Sequence, residues 1–219
     1  MAPPDPVREL RNDLGQLFQH LRSAGVPPKL MASIERKCLN TPRRQTGRVD
    51  RRTNRQNRWT LAPDHPDYST ELDARLVQLR LLLDMVGMRN GPQIDMEFAS
   101  ALSRKYFGSA IALEPTTDPL TDEVLGYTEL RRDVVEDPKH GYSRFHIGHQ
   151  DPKTHPKHRP DNVRWQLKTS NDFQGTMAIR VARIAFHIDQ FTRTQEPRLI
   201  EEATAALEEL RRDVLDDPG

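Results

Sequence analysis

The chain has 219 residues, which is enough for one substantial hydrophobic core or for a core with a small appended module. Its net charge of +1 does not indicate a particular class of binding partner. With 35% hydrophobic residues and no long apolar run, we expect a water-soluble protein that spans no membrane. Cys38 is the only cysteine and the N-terminus has no apolar signal-peptide core, so we expect a cytoplasmic protein without a disulfide or a paired-cysteine zinc site.

Residues 1–38 are predicted to form N-terminal helices. Apolar residues recur at helical spacing from Val7 to Leu21, and Gly25 followed by two prolines ends this pattern. A shorter helix is expected to follow through about Cys38.

Residues 39–67 are predicted to form an arginine-rich arm or loop. Nine basic residues and a single acid, Asp50, lie between Arg36 and Arg58, and this stretch has too few apolar residues to pack a core. Charge runs are often solvated surfaces, but arginines interleaved with asparagine and glutamine also suit base and phosphate contacts in DNA. The arm is therefore predicted to bind DNA through seven arginines, which are Arg43, Arg44, Arg48, Arg51, Arg52, Arg55 and Arg58.

Residues 68–116 are predicted to be a helical segment. Thr70 and Asp73 have the spacing of a capping box, and the leucines over 72–86 follow a helical period behind it. Further helices are expected over about 95–107 and 128–136.

Residues 181–219 are predicted to form C-terminal helices that serve packing or dimerisation. One helix is expected after Asn171 and continues to about Phe191, and Pro197 begins the last one. The leucine stripes of the predicted helices can be core or dimer interface. In the last helix the residues predicted to face inward are Leu199, Ala203, Leu207, Leu210 and Val214.

Histidines are concentrated between the helical segments. Five of the eight lie between 140 and 158, within HGYSRFHIGHQDPKTHPKHRPDNVRWQLKTSNDFQG. A histidine with a pKa near neutrality can take a proton from water, and a hard divalent cation can neutralise a phosphate. The region therefore contains the residue types that phosphodiester hydrolysis needs.

A longer pattern in the same region resembles the motif of HNH (ββα-metal) nucleases. The pattern is FHIGH, then a loop of prolines and basic residues, then Asn162-Val-Arg-Trp, then Ser170-Asn171-Asp-Phe-Gln174-Gly175. It is most similar to the variety found in bacterial restriction endonucleases and covers about 117–180. The resemblance implies a mainly α protein with a small ββα-metal unit, α+β overall, that cuts double-stranded DNA with Mg²⁺ or Mn²⁺.

The resemblance also implies roles for three residues. His149 would be the general base, and Asn162, thirteen positions later, would bind the metal through its side-chain oxygen. Asn171, nine positions further, would be the third signature residue and would brace the loop or the base.

One position departs from the family pattern. Many HNH sites have a metal ligand directly before the base, where this chain has Gly148. The predicted substitute ligand is His146, with Asp151 as a weaker one. The paired cysteines that brace many relatives through zinc are also missing, so we expect packing around Phe145 and Trp165 to replace them.

Plainer interpretations of these residues stay open. His149 can be an ordinary half-buried histidine, and Asn162 and Asn171 can cap a turn and a helix. Four histidines have the spacing HxxH-x5-HxxH, which is near that of structural zinc sites, although we do not expect zinc. The basic residues predicted to face phosphate are His155, Lys157 and His158. The alternative is that they lie on a solvated loop without a function.

Together these predictions describe a site-specific restriction endonuclease that needs no small-molecule cofactor. A homodimer is expected because two active sites related by a two-fold axis can cut both strands of a symmetric sequence. The alternatives are a nicking, homing or modification-dependent HNH nuclease, and a non-catalytic DNA-binding module held by zinc.

Overall fold

The structure, a computed structural model, describes residues 5–41, 55–111, 114–136 and 143–216. Within these residues the chain forms eight α-helices and one antiparallel sheet of two strands, which agrees with the predicted mainly helical, α+β class. In chain order the elements are α1 (Pro6–Ser23), α2 (Pro28–Leu39), α3 (Glu71–Val86), α4 (Met96–Phe107), α5 (Tyr127–Arg131), β1 (Phe145–His149), β2 (Val163–Leu167), α6 (Lys168–Gln174), α7 (Ile179–Thr194) and α8 (Arg198–Asp216).

The N-terminal helix follows its predicted pattern closely. Asp5 caps it by accepting a hydrogen bond from the backbone N–H of Val7 at 3.0 Å. The leucine stripe faces the core, and its buried members are Leu10, Leu14, Leu17 and Leu21. The helix ends at Ser23, two residues before Gly25, the predicted end of the helical pattern.

Helix α3 lies at the centre of the core. Thr70 caps it by accepting a hydrogen bond from Asp73 N at 3.0 Å, which confirms the predicted start. The sequence predicts a single buried stripe, but α3 is buried on nearly every side, and even Gln78 and Asp84 are almost inaccessible. The reason is that α1, α2, α4 and β2 all pack around it.

The strand hairpin is attached to this helical core. Strand β1 pairs with β2 in antiparallel register, with Phe145 opposite Leu167 and His149 opposite Val163. Phe145 and Trp165 are 3% and 2% exposed, and Trp165 Nε1 donates to the carbonyl oxygen of Leu81 in α3 at 2.9 Å. Packing of these aromatic residues therefore holds the hairpin on α3.

Two predictions for the C-terminal part are wrong. The single helix predicted after Asn171 is two helices. Helix α6 already begins at Lys168 and ends at Gln174, because the next residue, Gly175, has a φ of +55° that interrupts the helical backbone. Leu207 of α8, predicted to face inward, is 54% exposed. Among the described residues, each helix is too short or too polar to cross a lipid bilayer.

Candidate active site

The hairpin and the helix after it carry the residues of the predicted site. His149 is the last residue of β1, and His146 lies three positions earlier on the same strand. Helix α6 follows β2 without a loop and packs against both strands. The order strand, strand, helix thus brings residues from α6 close to β1.

Asn171 lies beside His146. Its side-chain Nδ2 is 3.4 Å from His146 Nδ1, although the two residues are far apart in the chain. The alternative that Asn171 caps a helix is wrong, because α6 starts at Lys168 with Leu167 at the cap position. Asn171 is instead an interior helix residue whose amide is adjacent to an imidazole of β1.

The side-chain amide of Asn162, the predicted metal ligand, closes the loop between the two strands. Its Oδ1 accepts a hydrogen bond from Asp151 N at 2.6 Å. Its Nδ2 donates to the carbonyl oxygens of Asp151 at 2.9 Å and Lys157 at 2.8 Å. Asn162 is 6% exposed, and both ends of its amide are engaged with the loop backbone.

Gly148 is explained by packing on the α6 side of the hairpin. A Cβ at this position would lie 1.8 Å from Oε1 of Gln166, which is fully buried. Gln166 donates to Gln174 at 2.9 Å, and Gln174 donates to the carbonyl oxygen of His149 at 2.8 Å. The space for a ligand before His149 is therefore taken by an amide network that holds the end of β1.

A cavity of about 330 Å³ joins the hairpin to the end of α2. His146 and His149 line it on one side, and the residues of α2 and the following segment line it on the other. The lining residues include four cations and no carboxylate, so the cavity favours an anionic ligand. These cations are Arg36, Lys37, Arg55 and Arg58.

The imidazole of His149 is neutral and has an unused nitrogen. Its Nε2 is buried and makes no hydrogen bond. Desolvation, together with the positive charges of Lys157 and Arg58, lowers the pKa of His149 to about 4. At neutral pH the ring therefore carries no charge and can accept a proton.

Three predicted phosphate contacts lie in different surroundings from those expected. His158 is 2% exposed and stands edge-on to His149 with ring centroids 6.2 Å apart, so the prediction that it faces phosphate from a solvated loop is wrong. Burial lowers the pKa of His158 well below its ordinary value. His155 Nε2 lies 3.0 Å from the carbonyl oxygen of Pro63, and Lys157 Nζ lies 3.8 Å from Asp67 Oδ1.

The structure also places two of the seven predicted arginines. Arg58 is 5% exposed and donates to the carbonyl oxygens of Cys38 at 3.0 Å and Asp67 at 3.2 Å, so much of its guanidinium is engaged with backbone. Arg55 lines the cavity. The remaining five lie outside the described residues, and they are Arg43, Arg44, Arg48, Arg51 and Arg52.

The donors beside the cavity that could take part in metal binding are neutral side chains. Across the described ranges, three or more histidine, cysteine or acidic side chains never converge into a metal-binding group, so the histidines of the HxxH-x5-HxxH pattern do not form one cluster. His146 and Asn171 offer two neutral donors, and Mg²⁺ commonly keeps several waters beside few protein ligands. Desolvation lowers the pKa of His146, which keeps its imidazole in the unprotonated form that binds metals. Asp151 Oδ1 instead accepts from Lys153 N at 2.8 Å.

Comparison with known proteins identifies a likeness of fold. No protein-family model matches the sequence, and no curated protein matches it. The structure is similar to a crystal structure of a type II restriction endonuclease, with a TM-score of 0.53 and 14% sequence identity over 80% of this chain and 81% of that chain. At this identity the match concerns the fold alone, and it shows that the chain shares its overall fold with that endonuclease.

Proposed function

We propose that this protein is a metal-dependent DNA endonuclease with an HNH-type site. The observation that carries the proposal is the strand–strand–helix arrangement, in which His146 and His149 line one basic cavity and Asn171 of the helix lies beside His146. In this proposal the unpartnered neutral imidazole of His149 would serve as the general base, and the neighbouring pair His146 and Asn171 would serve as metal ligands, a combination suited to hydrolysis of a phosphodiester.

In the proposed reaction His149 acts as the general base. Its neutral imidazole accepts a proton from water as the water oxygen bonds to phosphorus and the P–O3′ bond breaks. The products are a 5′-phosphate and a 3′-hydroxyl, whose oxygen takes its proton from solvent. His146 and Asn171 would hold Mg²⁺ or Mn²⁺, which supplies positive charge to the phosphate and to the departing oxygen.

The loop and the amide network keep this base in place. Asn162 closes the loop 151–158 against the start of β2, and Gln174 holds the carbonyl of His149. Neither side chain touches the reacting atoms in this proposal. They are positioning residues, because a general base must stay within hydrogen-bond reach of the water that it activates.

Double-stranded DNA is the proposed substrate, and the proposed class is a restriction endonuclease. The fold is shared with a type II restriction endonuclease, and the cavity is lined by cations. A homodimer is proposed because cutting both strands of a symmetric site takes two centres. Four partly exposed apolar residues on α7 and α8 are available for such an interface, and they are Val181, Ile188, Ile200 and Leu207.

Incubation with a large unmodified phage DNA tests the function. With Mg²⁺ the protein is expected to give discrete fragments, and EDTA is expected to stop the cutting. A smear would support a nonspecific nuclease instead, and mapping cuts on methylated and nicked substrates separates the nicking and modification-dependent classes. DNA binding without Mg²⁺-stimulated cleavage would support a non-catalytic module and would end the proposal.

A further inference from the structure

His158 is a buried imidazole that the proposed reaction leaves without a role. Its side chain is 2% exposed, its Nε2 is buried, and none of the described residues forms a hydrogen bond with that nitrogen. Burying a polar atom without a partner is costly, and folded proteins keep few such atoms. A group that enters the site during the reaction would explain why this position carries an imidazole.

The backbone around His158 is held from two sides. The carbonyl oxygen of His158 accepts a hydrogen bond from Ser69 Oγ at 2.8 Å, and Ser69 is a fully buried residue just before α3. The carbonyl oxygen of Lys157 accepts one from Asn162 Nδ2, also at 2.8 Å, just before β2. The end of this loop is therefore tied both to the helical core and to the hairpin, which fixes the position of the His158 ring.

His158 and His149 share the cavity between the hairpin and α2. Both rings line it, with their centroids 6.2 Å apart and their planes at 65°. The Nε2 of His149 is likewise buried and has no hydrogen-bond partner among the described residues. Desolvation lowers the pKa of both rings, so each is neutral near pH 7 and has one nitrogen with a free lone pair. Two imidazole acceptors thus line one cavity.

A water molecule has two O–H groups and can satisfy both acceptors at once. A water that donates to two acceptors at about 2.8 Å each bridges roughly 4.5 Å between them, a separation that two rings with centroids 6.2 Å apart can provide. When both of its O–H groups are held in this way, the lone pairs of the water oxygen point away from the two rings. The oxygen is then oriented for attack on a phosphorus atom placed opposite them.

We propose that His158 is a further catalytic residue, whose Nε2 accepts a hydrogen bond from the second O–H of the attacking water while His149 takes the first proton. This inference rests on the function proposed above. The second proton is not transferred to His158, because it stays on the oxygen that bonds to phosphorus while the P–O3′ bond breaks. His158, with its own ring proton on Nδ1, contributes the orientation of the nucleophile, and His149 remains the base.

The first test compares His158→Phe and His158→Gln with the wild-type protein in single-turnover cleavage at saturating DNA and Mg²⁺. Phenylalanine keeps a ring of similar size without an acceptor, so cleavage is expected to slow by roughly 10²-fold, as when a reacting group is misplaced. Glutamine can place an amide oxygen near the position of Nε2 and is expected to recover part of the rate. His20→Phe is the matched control, since His20 stacks on Phe98 in α4 with centroids 4.4 Å apart and does not line the cavity.

The second test combines His158→Phe with His149→Ala. Residues that act on the same water are strongly non-additive, so the double variant is expected to cut no more than about threefold more slowly than His149→Ala alone. Losses that multiply would mean that the two rings act independently, and this result would overturn the inference. DNA affinity and thermal stability, measured on the same variants, are expected to stay near the wild-type values.

Other outcomes also separate this inference from the proposed function. A His158→Phe protein that cuts within about threefold of the wild-type rate, or a His158→Gln protein that is no faster than His158→Phe, overturns the role of His158 and leaves the nuclease function standing. If His158→Phe does not fold, His158→Leu and His158→Gln carry the same comparison. A wild-type protein that does not cut DNA overturns the proposed function, and the role of His158 with it.

Discussion

Replacing Asn162 by aspartate separates the two roles that an asparagine at this position can have. In the structure the amide accepts one hydrogen bond from the loop backbone and donates two. Aspartate keeps the acceptor but has no N–H to donate, and it places a carboxylate oxygen against the carbonyls of Asp151 and Lys157. A metal ligand would behave in the opposite way, because a carboxylate binds Mg²⁺ at least as well as an amide does.

The size of the effect follows from the three contacts. Each net hydrogen bond contributes about 1 kcal/mol, so Asn162→Ala is expected to lower the free energy of unfolding by about 3 kcal/mol. Asn162→Asp loses two of the bonds and adds repulsion between oxygen atoms at a site that is only 6% exposed. Its loss at neutral pH is therefore expected to be at least as large as that of the alanine variant.

Urea unfolding and a Mg²⁺ titration of cleavage measure the two effects separately. We expect Asn162→Asp to unfold at a lower urea concentration than the wild-type protein. If the folded variant also cleaves DNA more slowly, a higher Mg²⁺ concentration should not restore the rate. Asn171→Asp is the matched control, because it makes the same chemical change at the proposed ligand and is expected to keep or lower the Mg²⁺ requirement. An Asn162→Asp protein of wild-type stability with a reduced Mg²⁺ requirement would refute the loop-closing role.

Three further predictions follow from the same geometry. Asn171→Ala should raise the Mg²⁺ concentration for half-maximal cleavage about tenfold or more while changing thermal stability little, and an unshifted titration would count against this ligand. Gly148→Ala should destabilise the protein by roughly 1–3 kcal/mol, because its Cβ meets Gln166 Oε1 at 1.8 Å. The double variant Gly148→Ala, Gln166→Ala should lose less stability than the two single variants added together, because removing Gln166 relieves the clash. A loss equal to that sum would contradict the clash. The pKa of His149 is lowered to about 4, and a base acts only when unprotonated, so kcat/KM should stay nearly level as the pH falls from about 7.5 to about 5.5. A fall in kcat/KM centred near pH 6.5, the ordinary pKa of histidine, would show that the pKa of His149 is not lowered by desolvation.

Helices with regular apolar spacing and a clear start could be predicted from the sequence. The leucine period of α1 and the Thr70–Asp73 capping pair of α3 are local features, and local hydrogen bonds and periodicity decide them. The enclosure of α3 on nearly every side could not be predicted in this way. It depends on which elements pack around the helix, and those contacts join distant parts of the chain.

The candidate site likewise has features that could be predicted from the sequence and features that could not. The presence of His149, Asn162 and Asn171 in a recognisable order could be read from the sequence, but the roles of the two asparagines could not. An amide side chain can ligate a metal or hold a loop with the same atoms, and only the three-dimensional position of Asp151 and Lys157 decides that Asn162 holds the loop.

Lys37, which lines the cavity from the end of α2, had no local signal for this position beyond its charge. Its position in a run of basic residues is shared with eight others between Arg36 and Arg58. Only the packing of α2 beside β1 shows that this lysine lines the cavity with the histidines. Residues that enter a site from a separate element are therefore the part of it that motif analysis misses.

The account depends most directly on His149, and a single-turnover cleavage assay with His149→Ala tests it. The site predicts that this variant binds DNA with near wild-type affinity and loses cleavage by 10²-fold or more, since general-base catalysis typically contributes about that much. A His149→Ala protein that binds and cuts DNA with Mg²⁺ at the wild-type rate would contradict the central claim.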